Sequence, residues 1–178
     1  VNVRHFLEVL LEDVGIASLQ DKFTHTLSKL KVACYYGCLL VRPQEITQFD
    51  NPENPLFMDH LINVMGGESL DWPHKVECCG AGLALTRTDV VVNLVDAIIG
   101  IAKDAGANCI AVACPMCQTN LDLRQSDINT EKGRHYAMPI VYITQLLGLC
   151  LGISLEKLGL RKLMVSPSPV VDSVKAVA

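Results

Sequence analysis

The chain has 178 residues and is half hydrophobic, long and apolar enough to bury the core of one domain without an external staple. A formal charge of −4, few aromatics and no Lys/Arg block leave out the usual electrostatic footprint of nucleic-acid binding. The charged opening (Arg4, His5, Glu8), with no apolar core and cleavage site behind it, reads against a secretory leader. The most apolar late run, 139–153, is interrupted by Thr144 and Gln145 and is too short to cross a bilayer, so no membrane insertion is expected. Eight cysteines could staple a secreted protein, but that pattern belongs to small chains poor in core. Here the thiols are grouped as CC and CxxC, which favours a reducing, cytoplasmic setting and a metal or redox site.

In chain order, Phe6, Val9 and Leu10 fall at helical spacing, so a helix is predicted over 2–12, ending near Gly15. A second, polar helix is expected over 18–30, making residues 1–30 a helical lead-in. Lys31 to Tyr36 reads as a small, apolar strand stopped by Gly37. Cys38 follows at its carboxyl end, and 39–54 reads as a long loop, a length that tends to be functional. Asn54-Pro55 predicts a cap and first turn, with Phe57, Leu61, Val64 and Met65 on one helical face and Gly66-Gly67 ending it.

His74 to Glu77 is expected to be a short strand leading into Cys78-Cys79, which opens into the glycine turn Gly80-Ala81-Gly82. Thr88 is expected to cap a long helix whose stripe is Val91, Leu94, Val95, Ile98 and Ala102 and which Gly106 closes. The continuous apolar run 108–113 has the signature of a strand buried on both faces of a parallel sheet. Cys114 sits at its end, Pro115 suits a first helical position, and the helix is expected to reach about Gln125. A polar stretch to His135, a strand over 139–142, helices over 144–151 and 154–160, and a flexible tail from Ser166 complete the chain. Strands and helices alternate, so the predicted fold class is α/β, a mostly parallel sheet flanked by helices.

Ligands of such sheets gather beyond the carboxyl ends of the strands, where Cys38, Cys78, Cys79, Cys114 and Cys117 all fall on this reading. Helix N-termini there favour thiolate over thiol. Iron, zinc and plain dithiol chemistry are all open to such a set. Structural zinc takes four tetrahedral thiolates, but usually from paired CxxC knuckles, whereas a vicinal pair more readily bridges different metals of an iron–sulfur cluster. A thioredoxin-like redox role for Cys114-Pro115-Met116-Cys117 would leave the vicinal pair unexplained, and Pro139 comes too soon for that fold.

These motifs resemble the cysteine-rich CCG domain of the heterodisulfide reductase B-subunit family: a cysteine, a long spacer, CCG, a second spacer and CxxC. The flanks Tyr36-Gly37-Cys38, Arg42-Pro43, Phe49 to Glu53, Gly80-Ala81-Gly82 and Tyr142 to Gly148 are similar to the carboxyl-terminal copy. The resemblance covers residues 1–165 as a single CCG domain, with 166–178 as a tail. It implies a non-cubane [4Fe-4S] cluster held by Cys38, Cys78, Cys79, Cys114 and Cys117, with zinc as the alternative occupant. It further implies one-electron reduction of a disulfide of the CoM-S-S-CoB type. The partners it implies are a second CCG domain, a ferredoxin-like subunit and a flavin-containing subunit of a heterodisulfide-reductase-like complex. Between Cys38 and Cys78 lie 39 residues, closer to the family spacing than the 43 after Cys34, which is expected to be a strand residue beside the site. The second spacer, 34 residues, is slightly short.

The remaining candidates have plainer expectations. Cys109 and Cys150 read as packing residues. His74 and His135 read as surface histidines that could touch substrate, and Arg42, Arg87 and Arg134 as solvated arginines that could meet an anionic substrate. An electron-transfer module without a disulfide substrate and a zinc-bearing docking domain are the alternative functions.

Overall fold

A computed structural model describes residues 3–177 of the chain. Its centre is a four-stranded parallel sheet of β2 (Lys31–Tyr35), β3 (Glu68–Ser69), β4 (Cys109–Val112) and β5 (Ile140–Tyr142), in the order β3-β2-β4-β5. Side chains of consecutive strand residues leave on opposite faces, and both faces are covered. Val32, Cys34, Cys109, Ala111 and Val141 enter one core, which also holds α4 (Phe57–Val64) and α7 (Ile143–Cys150). Ala33, Tyr35, Ile110, Val112 and Ile140 enter the other, against α5 (Thr88–Asp104) and α6 (Pro115–Lys132). The continuous apolar reading of 108–113 is thus explained: Cys109 to Val112 are buried at every position.

The lead-in differs from expectation. Helix α1 (Phe6–Val9) continues as a π-turn over Leu10–Val14, and α2 (Ile16–Gln20) is followed by β1 (His25–Leu27) where a helix to residue 30 is predicted. The backbone there turns to pair with β6 (Val174–Ala176), which makes the local helical preference of 21–30 secondary to an antiparallel ladder. The expected start of the first helix, residue 2, lies outside the described residues, as do Val1 and Ala178.

Four further boundaries move for identifiable reasons. A short α3 (Gln44–Thr47) interrupts the 39–54 loop. Helix α4 starts at Phe57, and the acceptor for its first N–H groups is Asp50, whose Oδ2 takes bonds from Leu56 and Phe57 at 2.9 and 2.7 Å, in place of the expected Asn54. Helix α6 runs to Lys132 and stops at left-handed Gly133. Its added turns, 126–132, are polar in sequence but are held by buried Ile128 and by Asn129, which bonds the Tyr136 backbone. In place of the helix predicted over 154–160, residues 155–159 form a turn that leads into a 3-10 turn over Leu160–Lys162.

The Ser166-Pro167-Ser168-Pro169 run begins not an unstructured tail but α8 (Ser168–Ser173) and β6, with Val170 fully buried. Proline is compatible with a first helical turn, where its missing N–H has no partner to lose. Just ahead of that segment, Asp122 of α6 accepts the backbone N–H of Met164 at 2.8 Å and of Val165 at 3.1 Å. Asp122→Ala leaves two donors and Gln118 short of an acceptor and is expected to cost about 1–3 kcal/mol. Hydrogen exchange at Met164 and Val165, measured beside a thermal melt, should accelerate more than exchange in β4; equal acceleration would rule this anchoring role out.

Candidate metal centre

Because β2 pairs with β4 in the register Tyr35↔Val112, both strands end side by side, and the residues that follow them emerge together. Cys38 stands three residues past β2, after Gly37 at φ +70°; Cys114 is the N-cap of α6, with Pro115 as the first helical residue and Cys117 inside the first turn. The vicinal pair reaches this end differently from expectation. His74 to Glu77 is not a strand: 73–76 is a turn, and 77–80 has no regular structure. No ladder is available to place it, and it is held by bonds from three elements. The Lys75 carbonyl accepts the N–H groups of Tyr36 and Gly37 at 2.8 and 3.1 Å. Tyr35 Oη donates to the Glu77 carbonyl at 2.6 Å, and Asn120 Nδ2 of α6 donates to the Cys79 carbonyl, also at 2.6 Å.

The result brings the five predicted thiols to one end of the sheet. Cys79 and Cys117 are buried, with their sulfurs 3.7 Å apart. Cys117 also feels the charge of Cys114, and Cys38 that of Cys78, so these thiols are neighbours as well. The buried Tyr35 ring senses Cys117, Cys79, Cys78 and Cys38; burial first, then these sulfurs, push its hydroxyl well above the ordinary tyrosine range. All eight cysteines are free.

Cys79 and Cys117 titrate as a pair. Once Cys79 has lost its proton, the S–H of Cys117 donates to it. That bond, aided by the N–H of Ala81 and by Asn120 and Tyr35, outweighs burial and brings Cys79 down to about 6. Cys117 is held as the thiol for the same reason, with burial adding to it. Burial is the first cause that raises Cys38, followed by the charge of Cys78.

Cys34, Cys109 and Cys150 lie elsewhere. Cys34 and Cys109 point into the core on the α4 side of the sheet, fully buried, and desolvation raises both; for Cys34 the nearby Asp59 adds to the effect. Cys150 is buried in α7 and raised by burial.

The surroundings of the thiols are mixed. A cavity of about 360 Å³ borders Cys114 and is lined by apolar Leu39, Leu40, Ile46 and Phe49. Leu39 and Ile46 are each 79% exposed, and Met116, between Cys114 and Cys117, is 57% exposed. The three arginines are engaged by carboxylates: Arg42 by Glu53, Arg87 by Asp89 and Arg134 by Asp96. The exposed His135 lines a separate cavity with Asp96 and Tyr136, and His74 stacks on Trp72 with its Nδ1 buried and unpartnered.

The chemistry of the donor set suits a thiolate-bound group. Gly37 leaves room for it: a Cβ there would stand 3.0 Å from Cys117 Sγ. Among the described residues no three His, Cys, Asp or Glu side chains are arranged to hold a single metal ion.

Tyr35, Lys75 and Asn120 are the site residues that motif reading misses. Asn120 had a signal, since it lies one turn beyond Cys117 on the same helix; the Tyr35 and Lys75 contacts are long-range and leave none.

A family model described as the CCG cysteine-rich domain matches residues 32–122. The B subunit of the ferredoxin:CoB-CoM heterodisulfide reductase of Methanosarcina mazei is 35% identical over 162 residues, which cover 90% of this chain and 54% of that protein. The 8-methylmenaquinol:fumarate reductase membrane anchor subunit of Wolinella succinogenes is 31% identical, covering 89% and 55%. A protein of Archaeoglobus profundus described as like the heterodisulfide reductase B subunit is 29% identical, covering 88% and 54%. The chain therefore spans about half the length of the curated relatives it matches. With the CCG motif, its two partner motifs and the sheet that joins them all in place, the chain belongs to the CCG cysteine-rich domain family.

Proposed function

We propose that the chain is the cluster-binding, carboxyl-terminal half of a heterodisulfide-reductase-like B subunit, with α8 and β6 packed into the domain in place of a tail after residue 165. In this reading Cys38, Cys78, Cys79, Cys114 and Cys117 hold a non-cubane [4Fe-4S] cluster. The observation that carries it is the meeting of thiols from three chain segments at one sheet end. The vicinal pair Cys78-Cys79 favours a polynuclear group over zinc, which usually takes paired CxxC knuckles.

When bound, such a cluster supplies one-electron steps to a disulfide sulfur. Overall a disulfide takes up two electrons and two protons and leaves as two thiols. The chain's own residues create the conditions: Tyr35, Asn120 and the Ala81 N–H stabilise negative sulfur, and Leu39, Ile46 and Phe49 give an organic disulfide an apolar bed beside Cys114. The exposed apolar rim fits cover by the other half of such a B subunit, a second CCG domain. Electrons would arrive from the ferredoxin-like and flavin-containing subunits of such a complex, in the cytoplasm. Among the described residues no helix is long and apolar enough to cross a membrane.

A second reading has its own support. A relative named as a fumarate reductase membrane anchor subunit matches about as much of the chain, which favours electron transfer without a disulfide substrate as the alternative.

Iron and sulfide analysis with EPR on anaerobically reconstituted protein tests the assignment. About four irons are expected, with loss of the signal in Cys78→Ser and Cys79→Ser and its retention in Cys34→Ser. A spectrum that shifts on adding thiol supports disulfide chemistry; one that does not supports electron transfer alone; tight zinc at one per chain defeats both. Gly37→Ala provides a geometric check. Its positive φ and the approach to Cys117 predict a loss of about 1–2 kcal/mol in the iron-free protein and reduced iron content. Gly82→Ala, which meets nothing within 4 Å, is expected to change neither.

A further inference from the structure

Beneath the thiols lies an ion pair that the proposed chemistry does not use. Lys75 Nζ stands 3.0 Å from Asp59 Oδ1, and both side chains are buried, 4% and 7% exposed. The other carboxylate oxygen, Oδ2, accepts from Tyr36 Oη at 2.8 Å, and Tyr36 Oη in turn accepts the Met58 N–H at 2.7 Å. Lys75 also donates to the Pro55 carbonyl at 3.3 Å. A buried pair of this kind is weak support for stability, because desolvation offsets much of its attraction and apolar replacements are often neutral. Its position suggests another use. Tyr36 lies two residues before Cys38 and Lys75 three before Cys78, and their backbones are joined where the Tyr36 N–H meets the Lys75 carbonyl. One carboxylate on α4 thus grips both cysteine-bearing segments just before their thiols.

We propose that Asp59, Lys75 and Tyr36 form a positioning unit that sets Cys38 opposite Cys78. The inference rests on the cluster reading for its purpose, but its geometry is a property of the iron-free chain. The unit bears mainly on one thiol pair, because Cys79 has a tie of its own: its carbonyl accepts from Asn120 of α6, the helix that carries Cys117. The two halves of the site are therefore fixed by separate devices, and loosening one leaves the other in register.

The test oxidises the iron-free chain with diamide, which takes two electrons and two protons from each thiol pair as a disulfide forms. Peptide mapping then follows the Cys38–Cys78 and Cys79–Cys117 crosslinks separately. The variant is Asp59→Asn with Lys75→Met, which removes both charges and keeps an acceptor for Tyr36. Its melting temperature is expected to stay within about 4 °C of the parent. Cys38–Cys78 crosslinking should slow about tenfold or more, as sub-ångström misplacement of reacting atoms does, while Cys79–Cys117 keeps its rate. Reconstituted with iron, the same variant should show an altered EPR signature. Tyr36→Phe leaves the ion pair intact and decides the question should the double variant not fold; it too should slow only the first crosslink. An unchanged ratio of the two rates, or a parallel fall in both, overturns the proposal. A parent chain that takes up no iron would defeat the cluster reading while leaving the crosslink ratio to judge the positioning unit.

Discussion

The pairing of β2 with β4 is the constraint on which the rest of the site depends. Parallel neighbours in register Tyr35↔Val112 end at the same level, so the chain must leave both strands at one place. Cys38 and Cys114 follow from that single fact, although 75 residues separate them. The third segment has no strand to bring it there, so polar side chains do the work a ladder would otherwise do. This explains why polar groups are buried around it: Lys75, Asp59, Gln118 and Asn120 all lie below a tenth exposed. Buried polar groups of this kind are tolerable only when they are bonded, and Lys75, Asp59 and Asn120 bond to the segments that carry the thiols or to one another.

The same sheet gives cysteine two opposite characters. On the α4 side, Cys34 and Cys109 are shut away from water, and desolvation keeps them as inert thiols. On the other side Cys79 is nearly as hidden, yet the Cys117 thiol, the Ala81 N–H and the Asn120 amide can donate to it and its thiolate is favoured. Burial alone therefore does not decide reactivity. What decides it is whether the burying groups can donate hydrogen bonds to sulfur. Adjacent residues of one strand, Cys34 and Tyr35, fall on opposite sides of that divide because side chains alternate along it.

Much of this was legible in the sequence. Where the code is local, as in the apolar run 108–113, the stripe of α5 or the proline after Cys114, elements form close to where expected, although Arg87 and not Thr88 is the N-cap of α5 and 154–160 makes no helix. The five clustered thiols were legible too, because CCG and CxxC are spacing motifs. Most of what failed was non-local. The turn at 73–76 looks like a strand lead-in, since Val76 is apolar and buried, but its partners are single bonds to Tyr36 and Gly37 instead of a ladder. The pairing of β1 with β6 joins residues about 150 apart, and no window near residue 25 could contain that information. Helix α6 hid its length because its added turns are polar in sequence, and Asn129 finds its partner, the Tyr136 backbone, beyond the helix.

The rim of the site bears on why the domain is built this way. Leu39, Ile46 and Met116 stand in solvent next to thiols that burial helps to tune. Scattered exposed apolar residues need no explanation, but a group of them at the mouth of a thiolate site does, because water there would weaken every electrostatic interaction that shapes the sulfurs. That end is open, while the two cores are closed on both faces of the sheet. The thiols keep an exposed apolar side. On the proposed reading, cover of that side by a second CCG domain would dry the site, so that holding the sulfurs and setting their polarity would fall to different parts of the assembly.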